Sequence, residues 1–301
     1  MTPVVWLASY PKSGNTWMRV LLANLLATGE GLLNINTLSR RYGIASSRAL
    51  FEDYSQLDSA LLTEDEVDRL RPAVYLAWAT DLAARADEAK NGGSPRHSER
   101  VFVKCHDAYT RLEDGTPLLG GSGAARGAVV VVRDPRDIAI SLANQRGSTV
   151  DQAIDLMLDP EAILGRSRRG QIHQLPQRLL DWSSHVSSWL DQCDIPIHIV
   201  RYEDLQADAG AVLAVTARFA GLDVTNQQAS KAAEASTFQI LRCQEDAHGF
   251  AEARPGSRFF RHGKAGTWRT GLTRAQAERI EFIHGATMAR LGYPIAGEGL
   301  S

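Results

Sequence analysis

Residues 4–26 read VVWLASYPKSGNTWMRVLLANLL. Residues 3–9 are an apolar run and predict a buried strand. Leu21, Leu22, Leu25 and Leu26 then recur at helical spacing and predict a helix over 15–28 that ends near Gly29. Between strand and helix lies the polar turn Tyr10-Pro11-Lys12-Ser13-Gly14-Asn15-Thr16. The first N–H groups of a helix have no internal partner and point along the positive end of its dipole, so such a turn attracts anions. Gly14 lets an oxyanion come close to the backbone, Lys12 adds a point charge, and Ser13 and Thr16 add hydroxyl donors. The turn is not a Walker A loop, in which the lysine follows the last glycine. It reads as a cradle for a phosphate ester; taken alone, it also reads as an ordinary strand–helix turn that contains a lysine.

The same alternation continues along the chain. RVFVKCH (100–106), AVVVVR (128–133) and IPIHIVRY (195–202) predict three more strands. Thr63 and Glu66 form a capping box that opens a helix running to about Lys90, which Pro72 is expected to kink or split. KNGGSPRHSE (90–99) reads as a loop. Asp134 caps a helix with Pro135 at its first position. Residues 174–193 predict an amphipathic helix carrying Trp182 and Trp189, and two helices follow at about 208–220 and 226–235. Thr273 and Gln276 open a last helix with the face Ile280, Ile283, Met288 and Leu291, stopped by Gly292 and Pro294. Strands alternating with helices imply an α/β fold: one doubly wound domain over 1–301 with a mostly parallel central sheet flanked by helices. Four apolar strands suit a buried sheet, and ligands of such sheets bind beyond the carboxyl ends of the strands.

Composition narrows the function classes. The chain has 301 residues, 44% hydrophobic and 23% charged, with a formal net charge of -2. That is the balance of a soluble protein, and it argues against nucleic acid as a partner unless basic groups cluster locally. Cys105, Cys193 and Cys243 are far apart and odd in number, as expected of free thiols in a reducing compartment. The amino-terminal run lacks a basic leader and is broken by Pro11 and Lys12; no run approaches the ~20 apolar residues of a membrane span. A cytoplasmic protein without membrane insertion is expected.

The turn YPKSGNTW (10–17) resembles the phosphosulfate-binding loop of the cytosolic-type sulfotransferases, written YPKSGTTW, with Asn15 the one departure. VFVKCH matches the family's KxH at Lys104 and His106, two residues apart on one strand face. VVVVRDPRDIAISLANQ (129–145) matches its arginine and serine at Arg133 and Ser141. FFRHGKAGTWRTGLT (259–273) is similar to the RKGxxGxW segment at Arg261, His262 and Gly263, with histidine in place of lysine. The matches fall in the family's order, so the resemblance covers nearly the whole chain, with a P-loop-like phosphosulfate-binding loop at its start.

The resemblance implies an enzyme that transfers a sulfuryl group from 3′-phosphoadenosine 5′-phosphosulfate (PAPS) to a hydroxyl or amine of a small-molecule, lipid or sugar acceptor, leaving PAP and using no metal. It implies His106 as base, Lys12 and Lys104 as charge stabilisers, and Lys12, Ser13, Gly14, Asn15 and Thr16 around the phosphosulfate. It implies Arg133, Ser141, Arg261, His262 and Gly263 at the 3′-phosphate, and Trp17, Tyr202, Ser236 and Phe238 at the adenine. The chemistry suits these types: imidazole accepts a proton near neutral pH, and guanidinium presents a two-donor fork to phosphate. Residues 32–97 and 146–180 are the least family-like and are expected to form the acceptor pocket and lid. The basic run Arg166, Arg168, Arg169 with His173 in the second of these reads as lid or solvated face. The family's dimer segment KxxxTVxxxE falls at Arg269, Thr273, Arg274 and Glu278; Arg274 replaces its valine, so a homodimer of that mode is in doubt. Two rivals stay open at this point: an unusual P-loop kinase using ATP-Mg, and a non-catalytic nucleotide-binding protein of the same fold.

Overall fold

The computed structural model describes residues 2–27, 33–38, 43–91, 100–165, 173–254, 256, 258–261 and 263–295. The first helix ends at Leu25, short of the expected residue 28; Gly29, residues 92–99 of the expected loop, Arg166, Arg168, Arg169 and His262 lie outside the described residues. The strands are β1 Val4–Ala8, β2 Val101–Cys105, β3 Gly127–Val132, β4 Ile163–Leu164, β5 Gln177–Arg178 and β6 Ile197–Arg201. The helices are α1 Asn15–Leu25, α2 Arg48–Ser55, α3 Glu64–Asn91, α4 Gly121–Ala124, α5 Pro135–Arg146, α6 Val150–Leu158 and α7 Trp182–Asp191. They continue with α8 Tyr202–Ala207, α9 Ala209–Phe219, α10 Asn226–Glu234, α11 Phe238–His248, α12 Trp268–Gly271 and α13 Arg274–Arg290.

The main sheet has the order β2-β1-β3-β6, and every pairing in it is parallel. Side chains alternate across it, as a period of two requires. Val4, Trp6 and Ala8 with Val103, Val130 and Val132 face a layer that includes Tyr75, Leu142, Trp182, Trp189 and Met288. Val5 and Leu7 with Phe102, Val129 and Val131 face α1, α9, α10 and α11 through Leu21, Leu213, Ala229 and Leu241. Both faces are therefore covered, which is why β1 and β3 are buried at every position. β6 departs from the expected buried centre: it is an edge strand, and Ile199 is 41% exposed.

Several local expectations hold. The capping boxes at Thr63–Glu66 and Thr273–Gln276 form, and Asp134 accepts from the Arg136 backbone N–H at 2.9 Å with Pro135 at the first helical position. Others are corrected. Pro72 does not split α3, because Val67 on one side of it and Val74, Tyr75 and Ala79 on the other are buried in the same core. The helix expected over 174–193 begins only at Trp182. Pro176 disfavours helix at Leu175, residues 177–178 pair with 163–164 instead, and Asp181 supplies the cap to Ser184. In α13 the buried face is Ile280, His284, Met288 and, just past the helix, Leu291, while Ile283 is 49% exposed.

The chain leaves β1 toward β2 on one side and returns through β3 on the other, which opens a crevice at the carboxyl end of β1. The backbone beside that crevice is fixed by Asp107. Its carboxylate accepts from Arg71 Nη1 at 3.0 Å and Nη2 at 2.6 Å and from the Arg178 backbone N–H at 2.9 Å. Trp189 Nε1 donates to its carbonyl at 3.1 Å. Arg71 and Asp107 are both fully buried. Breaking a pair of this kind strands a charge in the core. Asp107→Ala is expected to lower unfolding stability by roughly 3–5 kcal/mol in urea titrations, and adding Arg71→Met is expected to recover part of it. A loss within error of zero would show that this pair does not hold the end of β2.

Candidate active site

A cavity of about 380 Å³ opens at the carboxyl ends of β1, β2 and β3. Lys12, Lys104, His106, Arg133, Ser141 and Arg261 all line it, although they span 250 residues of sequence. Parallel register is the cause. Ala8 lies opposite Cys105 on one side and Val130 on the other, so the turns after all three strands end on one rim.

The first turn is shaped by its backbone. Lys12 has φ 71° and Gly14 φ 109°, both left-handed. A Cβ at Gly14 would lie 2.7 Å from the Tyr202 ring, so only glycine fits there. No side chain caps α1, which leaves its first N–H groups to the cavity. The Ser13 hydroxyl is buried and has no hydrogen-bond partner among the described residues; nor has Arg133 Nε. Donors at a buried helix start without acceptors fit an anionic group. Asn15, the departure from the family pattern, turns its amide inward to Leu7 O at 2.7 Å and Ser9 Oγ at 3.2 Å. It ties the turn back to β1.

Arg133 stacks on the Tyr202 ring at 4.2 Å and donates to the carbonyls of Lys264 at 3.0 Å and Lys12 at 3.4 Å. It is thus strung between the first turn and the 259–268 segment. Its carboxylate neighbour Asp137 is nearly consumed elsewhere: it accepts from Gly266 N–H at 2.7 Å, Thr267 Oγ1 at 2.8 Å and Trp268 N–H at 2.9 Å. Gln206 holds the same segment through Gly263 O and Ala265 N–H. Arg136 packs on Trp268 at 3.7 Å and pairs with Asp134 and with Glu281 of α13. Gly263, at φ 60°, has the Phe238 ring where a Cβ would be.

Trp17, Tyr202 and Phe238 form an aromatic wall of the cavity. Ser13 and Ser236 do not line it. Ser236 is buried beneath, its hydroxyl on Ala232 O and its carbonyl accepting from Trp17 Nε1 at 2.9 Å, so it braces the indole rather than reaching the cavity. Glu252 and Gln206 were not signalled by the sequence, and Asp137 and Phe259, although they stand inside the quoted segments 129–145 and 259–273, were not singled out there; each acts on a segment far away in the chain.

Electrostatically the site is a compressed group of cations. Burial, then repulsion from Lys104 and Arg133, lowers the Lys12 ammonium to about 8. Burial, then Lys104, lowers His106 to about 3, against the hydrogen bond to Ser9 that raises it. That bond joins His106 Nδ1 to the Ser9 carbonyl at 2.7 Å. A carbonyl can only accept, so Nδ1 carries the proton and Nε2 keeps its lone pair.

The sulfotransferase domain family matches residues 126–292, more than half of the chain. Sulfotransferase 6B1 of Danio rerio is 30% identical over 115 residues, covering 36% of this chain and 38% of that protein. The alignment thus spans well under half the length of the curated relative. Among solved structures, retinol dehydratase in complex with androsterone and inactive cofactor PAP superposes with a TM-score of 0.57 at 20% identity, covering 100% of this chain and 84% of that one. A mouse sulfotransferase, SULT7A1, complexed with PAP gives 0.54 at 16% identity, over 95% and 84%. The fold is that of these proteins, and the chain belongs to the sulfotransferase domain family.

A neutral His106, protonated at Nδ1 alone, is expected near neutral pH and is open to direct measurement. In NMR titration its ring signals are expected to hold still from pH 8 down to about 5 and to move only as the acid limit nears. The sign for stability follows. Below the unfolded histidine value of about 6.5 the unfolded chain takes up a proton that folded His106 refuses, so this contribution is present above 6.5 and is lost as pH falls toward 3. A His106 midpoint near 6.5 would contradict the buried, cation-flanked setting.

Proposed function

We propose that the protein transfers a sulfuryl group from PAPS to a hydroxyl or amine of a small-molecule acceptor. The observation that carries this reading is the convergence of Lys12, Lys104, His106, Arg133 and Arg261 on one cavity with an uncapped helix start and an aromatic wall. The donor set fits a doubly phosphorylated adenosine. Among the described residues no side chain caps the start of α1, the Ser13 hydroxyl buried behind it has no partner, and Arg133 and Ser141 line the cavity from α5 and the turn before it. The PAP found in the two structural relatives supports the same ligand here.

In this reading Lys12, Gly14 and Thr16 hold the 5′-phosphosulfate, with the Ser13 hydroxyl buried directly behind them, and stabilise charge on the leaving phosphate, as preorganised donors in a water-poor site do. Asn15 shapes that turn from below. Arg133, Ser141, Arg261 and Gly263 hold the 3′-phosphate, and Trp17, Tyr202 and Phe238 flank the adenine. His106 Nε2 accepts the acceptor's proton, and Lys104 neutralises the transferring oxygens. Placing a polyanion among these cations relieves their mutual repulsion and raises the proton affinity of His106, Lys12 and Lys104 together. The base is therefore weakest in the empty site and strengthens when the donor end is filled. The acceptor side is built from the segments flanking α2 and β4–β5, with Ile44, Leu164 and Gln174 on the cavity wall.

His106→Ala is expected to lower kcat roughly 10²–10⁴-fold in ³⁵S transfer from PAPS while leaving PAP binding near normal; near-wild-type turnover would remove it as base. Arg133→Ala is expected to weaken PAP binding roughly 10- to 100-fold more than 5′-AMP binding by calorimetry. Equal losses would take Arg133 away from the 3′-phosphate. Heat-stabilisation by ATP-Mg rather than PAP would favour a kinase.

A further inference from the structure

Arg19 lies on the apolar run of α1 with its side chain fully buried. One of its nitrogens, Nη1, donates to Glu252 Oε1 at 2.6 Å, while Nε and Nη2 have no partner among the described residues. The other oxygen of the same carboxylate, Oε2, accepts from Lys104 Nζ at 3.2 Å. Glu252 and Lys104 both line the cavity with Lys12 and His106. A carboxylate in the place where an anionic donor is to bind works against that binding, so its presence requires a compensating role. The bond lengths indicate one: Glu252 is gripped at 2.6 Å from behind and offers its free oxygen to the lysine.

We propose that Glu252, clamped by Arg19, is a positioning residue that holds the Lys104 ammonium at the cavity wall beside the reacting oxygens. Glu252 is not itself a base. Burial alone would raise its carboxyl, but Lys104 and Arg19 overcome burial and lower it to about 2. Lys104 in turn is lowered by burial and by Arg19, and Glu252 is the counter-charge that opposes both. The charged and titratable groups around that space are Arg19 from α1, Lys12 from the first turn, His106 from the end of β2, Arg133 before α5, Asp137 of α5, and Glu252, Arg254, Arg258, Arg261 and Lys264 from the segment that follows α11. Asp137 lies 3.8 Å from Arg133, and Glu252 is the carboxylate that accepts from Lys104. Its removal leaves burial unopposed, and Lys104 then loses its proton at lower pH.

The kinetic part of this inference rests on the sulfuryl-transfer reading above; the equilibrium part does not. In protein carrying ¹³Cε-lysine, with the Lys104 signal assigned by Lys104→Met, Glu252→Gln is expected to move the Lys104 midpoint down by about one pH unit or more in the ligand-free protein. Arg19→Met is expected to move it in the same direction by less. In PAPS turnover, Glu252→Gln is expected to shift the alkaline limb of kcat/KM to lower pH and to lower kcat more than it raises KM for PAPS. In a Lys104→Arg background, where the side chain cannot titrate, the part of that shift due to Lys104 is expected to vanish and only the effect on Lys12 to remain. An unmoved Lys104 midpoint in Glu252→Gln overturns the proposal whether or not the protein proves to transfer sulfuryl groups. A moved midpoint with no PAPS turnover in the wild type leaves the positioning intact and removes the reaction.

Discussion

Parallel pairing of β1 with β2 on one side and β3 on the other is the constraint from which the site follows. It fixes three strand ends at one level, and each end carries a cation or a proton acceptor: Lys12, then Lys104 with His106, then Arg133. An antiparallel partner at either position would send one of these groups to the opposite edge of the sheet. The cost of this placement is electrostatic. Burial first, and like charges gathered in the crevice second, depress the proton affinity of Lys12 and His106.

Much of this was legible in the sequence because the signals are local. A strand, a glycine turn and a helix start are contiguous in YPKSGNTW, and Asp134-Pro135 announces its helix within two residues. The alternation of strand and helix gave the fold class, and the spacing of Lys104 and His106 gave a common face. Helix limits were less legible where tertiary packing overrides propensity. Pro72 is carried inside a helix by the core on both sides of it, and residues 177–178 pair as strand against 163–164 rather than joining α7.

The groups that set the site were the hardest to read. Asp137 stands within the motif DPRD but acts on backbone 130 residues later, and Gln206 grips Gly263 across 57 residues. Ser236, expected at the adenine, lies buried under Trp17, whose Nε1 donates to its carbonyl. Asn15, expected in the cradle, lines the cavity while its amide reaches the strand below. One signal was available and missed: an arginine inside the run MRVLLANLL has no solvent to point to. A fully buried guanidinium on an apolar helix demands a counter-charge from elsewhere in the chain, and Glu252 supplies it.

The DPRD corner has a consequence for how the molecule can be handled. Asp137 anchors residues 266–268, while Arg136, one position earlier, is stacked on Trp268 and paired with Glu281 in the last helix. The final helix is thus bolted to the same corner that seats the basic segment over the crevice. It is a keystone of the crevice rather than an appendage to the sheet. Excision of the carboxy-terminal quarter would take out part of the pocket's own masonry, so the strand-end turns cannot be dissected from it as a free-standing module.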